Sequence, residues 1–375
     1  MIAFLTFNEQ PSGILSSQVI DVIKFLRIKF NIKISFVCFI SIRNFFKNRR
    51  IILNQLPDAF VIPMFPGLKR WRFNRFLLFF ILKIYKIEKV IARSVWATQL
   101  ALMAKERGII SNVVYDGRGA IYHEFTEYQL IQEKSVVEEI KILEQNSILK
   151  SDFQLAISYQ LINHWRGFYN YDNTEHVVIP CTISTFQLTQ CKINSFPFLP
   201  LNNFVIGVYC GSFSGWQSVD LLYSFVALQM QLQSEFRFLI ITPDVELWRK
   251  FTSEFGDRVF IISLESIQVI SWLKYCDYGF LIRENSVTNQ VAAPVKFAEY
   301  LSAGLKVVIS DNIGDYSSFV LEHNCGHVIR QNNFIRLDKV TDEEKFRFSE
   351  ISDKYFSKES YVKEYSKILE IKYNE

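Results

Sequence analysis

The stretch that decides the fold reads Phe280-Leu-Ile-Arg-Glu-Asn285 and then Ala293-Pro-Val-Lys-Phe-Ala-Glu-Tyr-Leu-Ser-Ala-Gly-Leu-Lys-Val-Val-Ile-Ser310. Its apolar start reads as a buried strand ending near Arg283, followed by a polar loop. A helix opens at Pro294, where proline is tolerated because first-turn amides have no partner inside the helix. Gly304 stops that helix before the next apolar strand, Lys306–Ile309. The free amides of the turn, the positive end of the helix dipole and the Lys296 ammonium together suit a phosphate. Glu299, one turn on, places a carboxylate where a ribose diol could donate to it. The same residues also suit an ordinary strand–loop–helix–strand unit with Lys296 and Glu299 facing solvent.

Working outward, the same alternation fills the chain. Strands are expected at Ile2–Phe7, Ile32–Ile40, Ala59–Ile62, Lys89–Ala92, Asn112–Tyr115, Phe153–Ile157 and His176–Ile179. They resume at Phe204–Tyr209, Phe236–Ile241, Val259–Ile262, Tyr278–Ile282, Lys306–Ile309 and Gly326–Ile329. Helical periods separate them, among them 71–86, 127–150, 217–232 and 294–303. Apolar strands alternating with helices imply parallel sheets covered on both faces. The expected division is a domain over 1–185, a connection over 186–203 rich in Pro and Asn, a second domain over 204–340, and a charged helical segment over 341–375 expected to pack back on the first domain. In such doubly wound α/β folds ligands sit beyond the carboxyl ends of the strands, so a cleft between two of them is the default site.

Composition narrows the class. Of 375 residues 49% are hydrophobic and 21% charged, which excludes long disorder and leaves material for two packed cores. The net charge of +4 is unevenly spread: residues 1–100 hold 16 Lys/Arg against 4 Asp/Glu, and residues 186–375 hold 19 against 23. A basic first quarter suits a phosphate-rich partner or is simply a solvated face. The segment Lys69-Arg-Trp-Arg-Phe-Asn-Arg-Phe76 mixes cations with aromatics, as helices at an anionic membrane surface do and as partly buried helices also do. Six cysteines without a CxxC pair or zinc spacing read as thiols of a reducing, cytoplasmic compartment. No run approaches the about 20 apolar residues of a membrane-spanning helix. Neither a nucleophile elbow, a Walker lysine loop nor a nucleic-acid motif occurs, and Gly207-Val-Tyr-Cys-Gly-Ser-Phe-Ser-Gly215 lacks the GxGxxG order of a dinucleotide site. No metal site and no nucleic-acid partner are expected.

The Pro294–Gly304 stretch followed by Lys-Val-Val-Ile-Ser310 resembles the sugar-nucleotide motif of family 4 glycosyltransferases, which have the GT-B fold. Further segments resemble that family in order: Ser12-Gly-Ile-Leu-Ser-Ser-Gln-Val19, Tyr115-Asp-Gly-Arg-Gly-Ala-Ile-Tyr-His-Glu124, Val178-Ile-Pro-Cys181, and Val208-Tyr-Cys-Gly-Ser-Phe213 with Trp216-Gln217. The resemblance implies two doubly wound Rossmann-like domains facing across a cleft. It implies a retaining hexosyltransferase that takes a nucleotide-diphosphate sugar, needs no metal or other cofactor, and serves surface polysaccharide assembly such as capsule or O-antigen. It further implies that Glu299 binds the nucleotide ribose, that amides around Pro294 and Val295 hold the diphosphate, and that Lys296 pairs with a phosphate oxygen. Two positions depart from the family. The loop Gly211-Ser-Phe-Ser-Gly-Trp-Gln217 lacks the usual Arg and Lys clamp, which leaves the charge to Lys296, the helix tip and Arg283, with Gly211 and Ser212 lining the loop. Val291 stands where many members have a donor-sugar Glu, so Glu284, Asn289 or Gln290 would have to substitute.

The loop Asp116-Gly-Arg-Gly119 is the second candidate site. Arg118 offers a planar fork for phosphate or carboxylate, and Asp116 a base or orienter for an acceptor hydroxyl. Glu124, Ser12 and Gly13 complete the expected acceptor side. The alternative is a tight turn stapled by an Asp–Arg pair. The acceptor expected from the basic first domain is a glycan or lipid-diphosphate-linked glycan at the inner membrane, to which the protein would attach peripherally. Two other readings stay open: a nucleotide-sugar 2-epimerase of the same fold, and a non-catalytic sugar-nucleotide-binding partner subunit.

Overall fold

The structure is a computed structural model that describes residues 1–183, 196–330 and 334–371. Residues 186–195 of the expected connection, with Cys191, lie outside the described residues. The chain forms two compact units, Met1–Pro180 with Tyr361–Glu375, and Cys181–Ser360.

The sheet of the first unit contains β1 (Ile2–Phe7), β2 (Ile34–Ile40), β3 (Phe60–Pro63), β4 (Lys89–Arg93), β5 (Asn112–Gly117), β6 (Phe153–Ala156) and β7 (His176–Val178). They are all parallel, in the order β3-β2-β1-β4-β5-β6-β7. The order reverses between β1 and β4, so the loops after these strands diverge and leave room for a ligand. Register places Thr6 beside Arg93 and Arg93 beside Asp116, which lines up charged residues at the carboxyl rim of otherwise apolar strands.

The sheet of the second unit contains β8 (Val205–Cys210), β9 (Phe236–Ile241), β10 (Val259–Ile262), β11 (Tyr278–Leu281), β12 (Lys306–Ser310) and β13 (Gly326–Ile329). These too are parallel, ordered β10-β9-β8-β11-β12-β13, and the reversal falls between β8 and β11. Each strand expected from sequence is present, with ends shifted by two residues at most, because apolar β-branched and aromatic runs leave little choice of element.

Helices departed more. The expected helix at 71–86 is a 3-10 turn, Leu68–Asn74, running into an α-helix, Arg75–Ile84. Buried Asn74 makes the bend: its amide donates to the carbonyls of Pro66 and Trp71 and accepts from the Phe65 N–H. The 127–150 helix begins at Lys134, and a separate short helix, Ile121–Glu127, precedes it. The charged tail is two helices, Asp342–Phe356 and Val362–Leu369, parted at Ser357, whose extended backbone pairs with Ile183. The last helix belongs to the first unit, where Tyr365, Ile368 and Leu369 enter the core beside Ile91 and Val114. Lys89 anchors it through a 2.7 Å ion pair with Glu370.

Candidate functional site

In the second unit, the helix Val295–Ser302 buries Phe297, Ala298, Tyr300 and Leu301 and leaves Lys296 and Glu299 half-buried, three residues apart and therefore on one face. Phe297 stacks on Tyr316 with centroids 4.2 Å apart, which fixes the rotation of the helix. Tyr300 lies flat over β11, where a Cβ at Gly279 would come within 2.2 Å of its ring. The Tyr300 hydroxyl accepts the Cys210 amide at 3.0 Å, pinning the helix to the end of β8. Pro294 is the N-cap, with ψ of 127°, so the first helical residue is Val295. The amides of Val295 and Lys296 thus precede the intrahelical ladder.

From this turn the Lys296 side chain reaches the loop after β8. A Cβ on Gly211 would lie 2.8 Å from Lys296 Cε and 3.0 Å from its Nζ, so the ammonium rests on the glycine. Tyr209 holds the same loop by donating to the Ser212 carbonyl at 3.0 Å, and the Phe213 amide donates to Asp244 at 2.8 Å. Arg283, buried at the end of β11, donates to the amide oxygens of Gln217 at 3.1 Å and Asn289 at 3.3 Å. The Glu284 amide donates to Ser218 Oγ at 2.9 Å, tying the two loops together. Arg283 also borders a cavity of about 320 Å³ with Leu221, Phe225, Asn285, Asn312 and Arg330.

The electrostatics follow. Burial lowers the Lys296 pKa and the nearby Arg283 guanidinium lowers it further, against the pull of Cys210 and Glu299. Burial raises the Glu299 carboxyl, opposed by Lys296. Among the described residues Glu299 has neither a hydrogen bond nor an ion pair from its carboxylate. The Cys210 thiol is pushed up to about 12 by burial and by Glu299. The structure therefore gathers Gly211, Arg283, Pro294, Val295, Lys296 and Glu299 around one spot. Ser212 and Glu284 lie exposed at its edge, and Val291 is buried. Sequence reasoning offered Asn289 as a donor-sugar contact, not as a partner of Arg283, and gave Gln217 and Tyr300 no role of their own. The lone glycine inside β11 was the available signal for a ring lying on the strand.

In the first unit Asp116 is fully buried. Arg118 Nε lies 2.6 Å and Arg93 Nη1 3.8 Å from its carboxylate, and Arg93 Nε meets Glu9 at 3.1 Å. Four charges thus alternate along the carboxyl ends of β1, β4 and β5. The glycines around Arg118 differ: a Cβ on Gly117 would strike the Trp165 ring at 2.5 Å, whereas Gly119 faces open space. Ser12 caps the first helical turn by accepting the Leu15 amide at 3.1 Å, and it and Gly13 are exposed. Glu124 is half-buried, with its pKa raised by burial.

Glu144 was not foreseen. It is fully buried and accepts the Ile121 and Tyr122 amides at 2.7 and 2.9 Å and the Tyr169 hydroxyl at 2.7 Å. It therefore caps the Ile121–Glu127 helix from a distant element, and burial pushes its carboxyl up to about 7 despite these bonds. Its sequence signal was a carboxylate at a core position of the stripe Ile140, Leu143, Ser147 and Ile148. Among the described residues no group of three or more His, Cys, Asp or Glu side chains is placed to hold a metal ion, and no helix is long and apolar enough to cross a membrane.

No protein-family model and no curated protein matches the chain. Solved structures do. Sucrose-phosphate synthase from Thermosynechococcus elongatus is similar over 98% of both chains, at 12% identity and a TM-score of 0.71. HepE from Anabaena, solved in complex with UDP, is similar over 98% of this chain and 99% of its own, at 13% identity and a TM-score of 0.69. A putative UDP-N-acetylglucosamine 2-epimerase from Listeria monocytogenes covers 97% of this chain and 90% of its own, at 9% identity and a TM-score of 0.55. At these identities the likeness is one of fold: two Rossmann-like domains of the GT-B type.

Proposed function

We propose that the chain is a glycosyltransferase that moves a hexose from a nucleotide-diphosphate sugar to a hydroxyl of a glycan or lipid-diphosphate-linked glycan. The observation that carries this reading is the Lys296 ammonium lying on Gly211 beside Arg283, with Glu299 unengaged one turn along the same helix. As the bond between the sugar and the diphosphate breaks, negative charge collects on the departing phosphate oxygen. Preorganised cations and first-turn amides offset that charge without reorganisation, so no metal is given a role. Lys296 takes the place of the absent Arg and Lys clamp in the 211–217 loop, and Glu299 accepts from the ribose diol. An arriving diphosphate also reverses the push on Lys296, since a nearby anion favours its charged form.

On the acceptor side the proposal assigns Arg118 to an anionic group of the acceptor, with Ser12, Gly13 and Glu124 near it. Asp116 enters as the residue that positions Arg118, because its carboxylate is closed off from solvent and held by two arginines. Retention of configuration and a place in surface polysaccharide assembly, capsule or O-antigen, are parts of the proposal that rest on the motif resemblance.

The test is a thermal-shift panel of nucleoside diphosphates and their sugars. One diphosphate is expected to raise the melting temperature by several degrees, and Glu299→Gln to lose most of that shift while melting normally without ligand. No shift with any diphosphate sinks the reading. The epimerase-like neighbour favours a second reading, a 2-epimerase acting on the free sugar nucleotide. Incubation with UDP-N-acetylhexosamines and no acceptor, followed by proton NMR, separates the two: an isomerised sugar selects the epimerase.

A further inference from the structure

The helix Arg75-Phe-Leu-Leu-Phe-Phe-Ile-Leu-Lys-Ile84 is apolar around nearly its whole circumference, a pattern that belongs to a helix covered on all sides. Only one side is covered. Leu78, Phe79, Ile81 and Leu82 enter the core, while Phe76, Leu77, Phe80 and Ile84 are 58%, 44%, 61% and 55% exposed. Phe73, from the preceding turn, is 57% exposed and continues the same stripe, since positions 73, 76, 77, 80 and 84 fall on one helical face.

Charge accompanies this stripe. No Asp or Glu occurs between Asp58 and Glu88, whereas Lys69, Arg70, Arg72, Arg75, Lys83 and Lys86 do. Lys69 pairs with Glu133 at 3.5 Å and Arg72 with Glu139 at 2.8 Å. Among the described residues Arg70, Lys83 and Lys86 are exposed and make no ion pair, and the Arg75 guanidinium lies over the Phe76 ring at 4.9 Å. Lys83 shares the helix with the stripe, at its edge.

We propose that this face of the Arg75–Ile84 helix, with the Leu68–Asn74 turn before it, docks onto a lipid bilayer that carries anionic headgroups. Phenylalanine and isoleucine tips enter the boundary of the acyl region while the flanking cations meet phosphate groups at the surface. A second copy of the chain fits less well, because a symmetric contact would set the same unpaired cations against one another. The inference does not depend on the transfer reaction.

Flotation of the full chain with vesicles tests it. The protein should float with phosphatidylcholine vesicles holding roughly a quarter phosphatidylglycerol, at least about tenfold more than with phosphatidylcholine alone, and less in high salt. Phe76→Ser with Phe80→Ser, and separately Lys83→Glu with Lys86→Glu, should each cut flotation about tenfold or more while leaving the melting temperature and nucleotide-induced shift in place. Equal flotation of both variants and wild type overturns the proposal, as does equal binding to neutral vesicles. A wild-type dimer in light scattering that the phenylalanine variant dissolves also overturns it, in favour of a second copy. Should the phenylalanine variant melt early, the charge variant decides.

Discussion

In the first unit Glu9, Arg93, Asp116 and Arg118 alternate in sign along the carboxyl ends of β1, β4 and β5, whereas in the second Lys296 and Arg283 stand together beside Glu299 at the ends of β8 and β11. Both clusters occupy the place where the strand order of a parallel sheet reverses, the customary ligand position of this architecture. The first balances its own charge: each buried charge has an opposite neighbour. The second is unbalanced: burial and the Arg283 guanidinium both lower the Lys296 pKa, and Glu299 opposes them. Such an arrangement is stabilised by an incoming anion. Position in the fold alone therefore does not distinguish the two rims; their sign patterns do.

The comparison can be broken most severely at Arg93. Arg93→Met leaves Glu9 without its 3.1 Å partner and fully buried Asp116 with Arg118 alone, and losing hydrogen bonds to charged groups costs about 1.5–3 kcal/mol. Urea unfolding should show that loss; a change within experimental error would mean that the charges of this rim do not depend on one another. Lys296→Met tests the other rim, where stability should hold and nucleotide affinity should fall about 10–100-fold, the worth of a charged hydrogen bond, by calorimetric titration. Gly211→Ala sharpens this result, since its methyl would press first on the flexible end of Lys296 and on the Tyr209 hydroxyl. The smallest effect concerns Glu144, a buried carboxylate without a cation. Its folded pKa of about 7 lies above its ordinary value of 4.5, so the folded state holds a proton that the unfolded state has released. Stability should fall as pH rises from about 5 to about 7 and level off above, by on the order of 1–3 kcal/mol, and Glu144→Gln should flatten that slope.

The sheets were legible because burial on both faces demands continuous apolar runs, and strands such as Phe236–Ile241 and Val259–Ile262 offer nothing else. The helix Ile121–Glu127 was not, since it buries none of its own residues and depends on Glu144 from another element for its first amides. The tail read as a charged helical segment, and its break at Ser357 was not legible because it comes from pairing with Ile183, distant in sequence. At the candidate site, Lys296 and Glu299 were legible through the spacing of one helical turn. The seat of Lys296 on Gly211 was not, because it joins loops distant in sequence, and Arg93 looked like the ordinary end of a strand.

The chain's return to the first unit bears on how the protein can be divided. Tyr365, Ile368 and Leu369 plug the same apolar layer as Ile91 and Val114, and Glu370 neutralises Lys89. A fragment cut after Pro180 would expose that layer and strand a lysine that is only 9% exposed. Excising the leading half therefore requires the final fifteen residues, 361–375, supplied as a fused or added peptide. The middle portion, by contrast, can be lifted out as one uninterrupted piece, so the whole resembles a module inserted ahead of its host's last helix.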